Sequence, residues 1–224
     1  MRIAILLSVT IFCVSFTNTC AQDDAPTISR TIFKLSPQHF IHNSLKAGIE
    51  RFNSTHSGSI AFFVTGRIEN EDSGFNLHGY SGVAGEVQLS KYISPMKMRT
   101  TKKNNSFHQG IYGAAYLQGG SYAGEFSEQQ YTYDPNTGQQ NPQTLYEYHE
   151  SIANYGFGFT LGYQKTLWQV VFLEAFVGGG IQFSESTVTG GNKPEHSFFT
   201  YGGIANPGYK GILPKIGLHL GIGL

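Results

Sequence analysis

Residues 154–164 read NYGFGFTLGYQ. One parity holds Tyr155, Phe157, Phe159, Leu161 and Tyr163, and the other holds Asn154, Gly156, Gly158, Thr160, Gly162 and Gln164. Successive side chains of a β-strand point to opposite faces, so strict period two marks a strand with one greasy face and one small or polar face. A core strand of a soluble barrel need not set large residues against glycines. The wall of a lipid-facing barrel has an apolar outside and a cramped inside, and this pairing suits it.

The end of the chain repeats the rhythm. Pro214, Ile216, Leu218, Leu220, Ile222 and Leu224 alternate with Lys215, Gly217, His219, Gly221 and Gly223. An alternating strand with an apolar last residue resembles the C-terminal insertion signal of outer-membrane barrels. Shorter versions set Leu45, Ala47 and Ile49 against Ser44, Lys46, Gly48 and Glu50, and Ile60, Phe62 and Val64 against Ala61, Phe63, Thr65 and Arg67. Val83, Val87 and Leu89 oppose Ala84, Glu86, Gln88 and Ser90. Farther on, Val171, Leu173, Val177 and Ile181 oppose Glu174, Gly178, Gly180 and Gln182, with Phe172 and Phe176 on the polar side. The Gly-, Ala- and Tyr-rich stretch 110–124 leaves its faces unassigned.

These segments predict eight strands, near 28–36, 40–52, 58–68, 79–93, 108–125, 148–165, 169–186 and 209–224. The fold class expected is all-β, an eight-stranded antiparallel up-and-down transmembrane β-barrel. Short connections at 53–57 and 166–168 alternate with long ones at 126–147 and 187–208, as periplasmic turns alternate with external loops. The parity requires a first strand rising through Ile32 to Leu35 and turning near Pro37. Tyr131, Tyr133, Asp134, Pro135, Asn136 and Gly138 in one long connection, and residues 190–195 (GGNKPE) in the other, predict solvated loops where binding would sit.

The chain opens with Arg2, an apolar run from Ile3 to Phe16, and then Thr19, Cys20 and Ala21, the pattern of a signal peptide over 1–21 cut before Gln22. Residues 22–224 are then one outer-membrane β-barrel domain. The apolar run is shorter than the roughly 20 residues of a membrane-spanning helix. Both cysteines, Cys13 and Cys20, fall in this leader, so the mature chain is expected to lack disulfides and thiol chemistry. Acylation at Cys20 is the alternative, for which Thr17, Asn18 and Thr19 are a poor lipidation box. Losing Arg2 leaves 14 of the 15 basic side chains against 15 acidic ones, so no bulk attraction to nucleic acid is expected. Charged residues are 13% of the chain, against about 25% in soluble domains.

Pointing the apolar parity at lipid sends Lys46, Glu50, Arg67, Glu86, Glu174, Lys215 and His219 inward, joined by Arg30 and Lys34 on the first strand. Side chains alone fill an eight-stranded barrel, so its buried charges must pair and hydrogen-bond with one another. The expected role is a structural ion-pair network rather than a proton path or ligand site, and an interior so plugged conducts poorly. No catalytic, cofactor or metal site is expected. His39 and His42, read as strand residues three apart, would point to opposite faces, and no third ligand is spaced for a metal. His149 with Glu147, and His196 with Glu195 and Ser197, hold residue types of a hydrolase site without matching a motif. Gly119 and Gly120, or Gly178 to Gly180, open no helix and so make no phosphate loop; close strand packing is their simpler use. Lys97, Arg99, Lys102 and Lys103 read as a solvated periplasmic turn.

The strings Phe33, Lys34, Leu35, Ser36, Pro37, then Ile49, Glu50, Arg51, Phe52, then Lys91, Tyr92, and finally Gly162, Tyr163, Gln164 carry a resemblance. The chain resembles the small outer-membrane β-barrel proteins of unknown function common in Bacteroidota, over most of its mature length. The resemblance implies an outer-membrane location and eight strands, and it implies no reaction. The function expected is a non-enzymatic barrel with outer-membrane lipid around it and external loops contacting an envelope protein or extracellular ligand. A lipid-modifying barrel hydrolase or acyltransferase, a narrow pore or transport accessory, and a soluble periplasmic barrel with the apolar parity inward are the competing expectations.

Overall fold

The structure is a computed structural model, and it describes residues 31–53, 57–69, 77–95, 110–133, 140–167, 171–190 and 207–223. Eight antiparallel strands form one sheet: β1 (Thr31–Leu35), β2 (Ser44–Phe52), β3 (Gly58–Glu69), β4 (Leu77–Pro95), β5 (Gly110–Tyr133), β6 (Gln140–Leu167), β7 (Val171–Thr189) and β8 (Gly211–Gly223). Each strand pairs with its neighbours in sequence, and β1 also pairs with β8, from Ile32↔Gly223 to Leu35↔Leu220, so the sheet closes into a ring. The terminal end of the ring carries the start of β1 and the last residues of β8. The loop end is the opposite one.

The two faces divide as the alternation dictates. Phe157, Leu161, Leu218 and Leu220 are 43–53% exposed on the outside, while Lys46 and Glu50 are 5% and 2% exposed within. On β5, whose faces the sequence left open, Tyr112, Ala114 and Tyr116 are buried and Ile111 and Leu117 point out. Interior glycines make room for these rings. A Cβ on Gly162 would come within 2.3 Å of the Tyr112 ring, and one on Gly158 or Gly180 within 2.7 Å of the Tyr116 hydroxyl.

Each strand presents apolar side chains outward, and along much of the wall no charge interrupts them. On β6 the outward residues from Ala153 to Tyr163 are uncharged, and Lys165 follows. Arg51, Lys91 and Lys165 bound the apolar band toward the terminal end, and Glu125 and Glu185 bound it toward the loop end. Tyr155 and Tyr163 stand eight residues apart on this face, roughly 26 Å along a strand.

Three expectations about local structure change. Residues 126–147 were expected as a long loop, yet β5 and β6 continue pairing from Phe126↔Tyr148 to Tyr133↔Gln140. Pro142, which reads as a breaker, sits at a register shift beside Gln130 and Tyr131, where a bulge tolerates its missing N–H. The paired hairpin therefore runs seven residues past β4 and β7, roughly 24 Å. Second, β2 starts at Ser44, not residue 40. Pro37 begins a 3-10 helix, Pro37–His42, and Asn43 ends it in the left-handed conformation at φ 50°. Third, His39 and His42 lie in that helix rather than on a strand. The leader 1–21, Arg30, the basic cluster at 97–103, the loop residues 134–138 and 191–195, the 195–197 trio and Leu224 lie outside the described residues.

Candidate functional site

β-strand alternation brings the inward charges of β1, β2, β4, β7 and β8 together in two groups. Toward the terminal end, Lys34 Nζ lies 2.6 Å from Glu50 Oε2 and also pairs with Glu174. Ser59 Oγ donates to Glu50, the Tyr112 hydroxyl donates to Glu174, and His219 Nδ1 is 3.4 Å from Glu174 Oε1. One ammonium thus serves two carboxylates, and neutral hydroxyls supply further donors. Ile32, Phe52, Tyr92, Tyr112, Ala114 and Phe172 pack as a buried apolar cluster at this end.

Toward the loop end the arrangement is reversed. Glu86 accepts from Lys46 at 2.6 Å and from Lys215 at 2.6 Å, so one carboxylate serves two ammoniums. Lys46 Nζ is 4.9 Å from the Phe63 ring centroid, and Lys215 Nζ is 3.5 Å from that of Tyr116. Cations over ring faces are attracted by the ring quadrupole. Between the two groups the His219 ring lies 4.8 Å from Phe63 and 4.7 Å from Phe176, centroid to centroid.

Above the second group lies a cavity of about 330 Å³, lined among others by Lys46, Arg67, Glu86, Lys215, Gln38 and Tyr122. Pro207 also lines it, held by inward side chains. Asn154 Nδ2 and Gln182 Nε2 donate to the Pro207 carbonyl at 2.9 and 3.2 Å, and Ser184 Oγ donates to the Gly208 carbonyl at 2.6 Å. Gln182 and Ser184 share the inward parity of Glu174 on β7, and Asn154 that of Gln164 on β6, which was the available signal for them.

Of the seven residues expected to form one network, Glu50, Glu174 and His219 meet in the first group, and Lys46, Glu86 and Lys215 in the second. Arg67 is half-buried on the cavity wall. Lys34 is the hub of the first group, and the hydroxyls of Ser59 and Tyr112 were not anticipated. His149 is exposed on β6 opposite Glu125 and Thr189. Among the described residues no three His, Cys, Asp or Glu side chains converge as a metal site would require, and no helix is long and apolar enough to cross a membrane. Comparison with protein-family models, curated proteins and solved structures gives no match.

Proposed function

We propose that this chain spans the bacterial outer membrane as an up-and-down transmembrane β-barrel, exported by a cleaved signal peptide, and that it acts by binding rather than by catalysis. The supporting observation is the outward apolar band on a closed ring that packs Lys34, Lys46, Glu50, Glu86 and Glu174 inside it. In water such an exterior would be a very large exposed apolar surface, far beyond the few hundred Å² a soluble monomer tolerates, whereas acyl chains match it. The band runs between Arg51, Lys91 and Lys165 on one side and Glu125 and Glu185 on the other, as charges at two membrane interfaces would.

The β5–β6 hairpin stands clear of the ring on the side read as external, and it is the element best placed to meet an envelope protein or extracellular ligand. A narrow pore is disfavoured by the packed Phe63, His219 and Phe176 rings between the Lys34 and Glu86 groups. The test is membrane fractionation combined with gel mobility before and after boiling. Recovery in the outer membrane with heat-modifiable mobility is expected. A periplasmic soluble protein whose migration ignores boiling would overturn the reading.

A further inference from the structure

β1 is five residues long, whereas its neighbour β8 has thirteen. Only residues 220–223 of β8 pair with β1, so among the described residues 212–219 have a strand partner on the β7 side alone. Side chains dress this free edge instead. Leu218 N–H donates to Gln38 Oε1 at 3.4 Å, and the Tyr209 hydroxyl donates to the Ile212 carbonyl at 3.0 Å. Pro214, of the same parity, has no N–H to offer the edge, which is where a strand proline is tolerated.

The 3-10 helix stands where a longer β1 would have been. The cavity reaches this seam, because Gln38 and His39 of that helix and Pro214 and Ile216 of β8 line it together with Lys46 and Lys215. Pro214 and Ile216 are outward-facing residues, and Ile216 is 79% exposed. One cavity therefore reaches from the cationic interior to edge residues whose side chains face outward. The Lys46–Glu86–Lys215 group holds one more positive than negative charge. A buried charge excess is costly unless something neutralises it.

We propose that the cavity binds the carboxylate head of a single-chain amphiphile, a long-chain fatty acid, with its tail leaving through the seam between β8 and the 3-10 helix. One negative charge balances the excess of the Lys46–Glu86–Lys215 group, and Lys215 is the side chain best placed to meet it. The volume suits a headgroup and the first methylenes rather than a whole lipid. The tail's route rests on the membrane-spanning reading above, while the anion site itself rests on the cavity alone.

Native mass spectrometry of the full mature chain released from detergent tests this with three probes: palmitic acid, methyl palmitate and butyrate. Palmitic acid is expected to give one adduct, with methyl palmitate and butyrate each at least tenfold weaker. Lys215→Met is expected to weaken the palmitic acid adduct at least tenfold, and Lys215→Arg to restore it, both with heat-modifiable mobility kept. If either variant fails to fold, the wild-type probe series still decides. Equal binding of the ester would remove the charge argument, equal binding of butyrate would reduce the site to one for small soluble anions, and no palmitic acid adduct would remove the site. Each of these overturns the proposal and leaves the membrane reading standing. A soluble protein without heat-modifiable mobility would instead sink the membrane reading and the lateral route, whatever it binds.

Discussion

The two charge groups inside the ring are near mirror images in composition and opposite in surroundings. Lys34 lies between Glu50 and Glu174, whereas Glu86 lies between Lys46 and Lys215. The negative excess of the first is met by hydroxyl donors from Tyr112 and Ser59 in a tightly filled end of the ring. The positive excess of the second borders a cavity, and the Lys215 side chain keeps 14% of its surface accessible. Neutral O–H donors can solvate surplus carboxylate oxygens within a packed interior, because each donates without adding charge. Among the described residues no neutral side chain does the same for the surplus ammonium beyond an aromatic face, and that group borders the cavity.

Removing a hub should expose this difference most strongly. Lys34→Met would leave Glu50 and Glu174 buried together without their ammonium and with only the His219 imidazole beside Glu174, and breaking a buried pair in this way costs about 3–5 kcal/mol. The expected result is a large drop in the urea midpoint of the folded protein. A midpoint near wild type would mean that the hydroxyls and His219 carry the group without Lys34. The next largest effect is expected from Gly162→Ala. Its new methyl group would meet the Tyr112 ring that donates to Glu174, and overpacking of this kind costs about 1–3 kcal/mol. An unchanged midpoint there would show that Tyr112 has room to shift without loss of its bond.

Lys215→Met removes charge from the other group and should do much less. Lys46 and Glu86 would remain as a neutral pair at 2.6 Å, so no buried charge is left uncompensated and the loss should be clearly smaller than that of Lys34→Met. Comparing its urea midpoint with that of Lys34→Met is the direct way to break the contrast. Equal losses would mean that the cavity gives the loop-end group no relief.

The alternation was legible wherever large apolar residues faced glycines, as on β6 and β8, and the parity opposite the apolar one carries Lys46, Glu50, Glu86, Glu174, Lys215 and His219, which lie within the ring. It failed on β5 because Tyr112 and Tyr116, large residues, point inward while Gly113 and Ala115, small ones, point out. The partition into two groups was not legible at all. Lys34 and Glu174 are 140 residues apart, and Lys215 and Glu86 are 129 apart, so their meeting depends on how the strands are staggered around the ring. The seam was hidden for a related reason. A first strand placed at 28–36 and a second from residue 40 left no space for the 3-10 helix that replaces the upper part of β1 in the wall.

The smallest effect is expected farthest from both groups. The paired hairpin beyond Phe126↔Tyr148 touches neither β4 nor β7 along its described ladder, so it adds height without closing the ring. Replacing residues 127–147 by Asn-Gly, a two-residue turn suited to joining antiparallel strands, should leave the urea midpoint within about 0.5 kcal/mol of wild type, as distant surface changes usually do. Distant sites also add independently, so the losses from Lys34→Met and Lys215→Met should be the same in the trimmed chain as in the full one. If trimming instead made Lys215→Met as harmful as Lys34→Met, the tolerance of the loop-end group would come from the hairpin above it rather than from the cavity beside it.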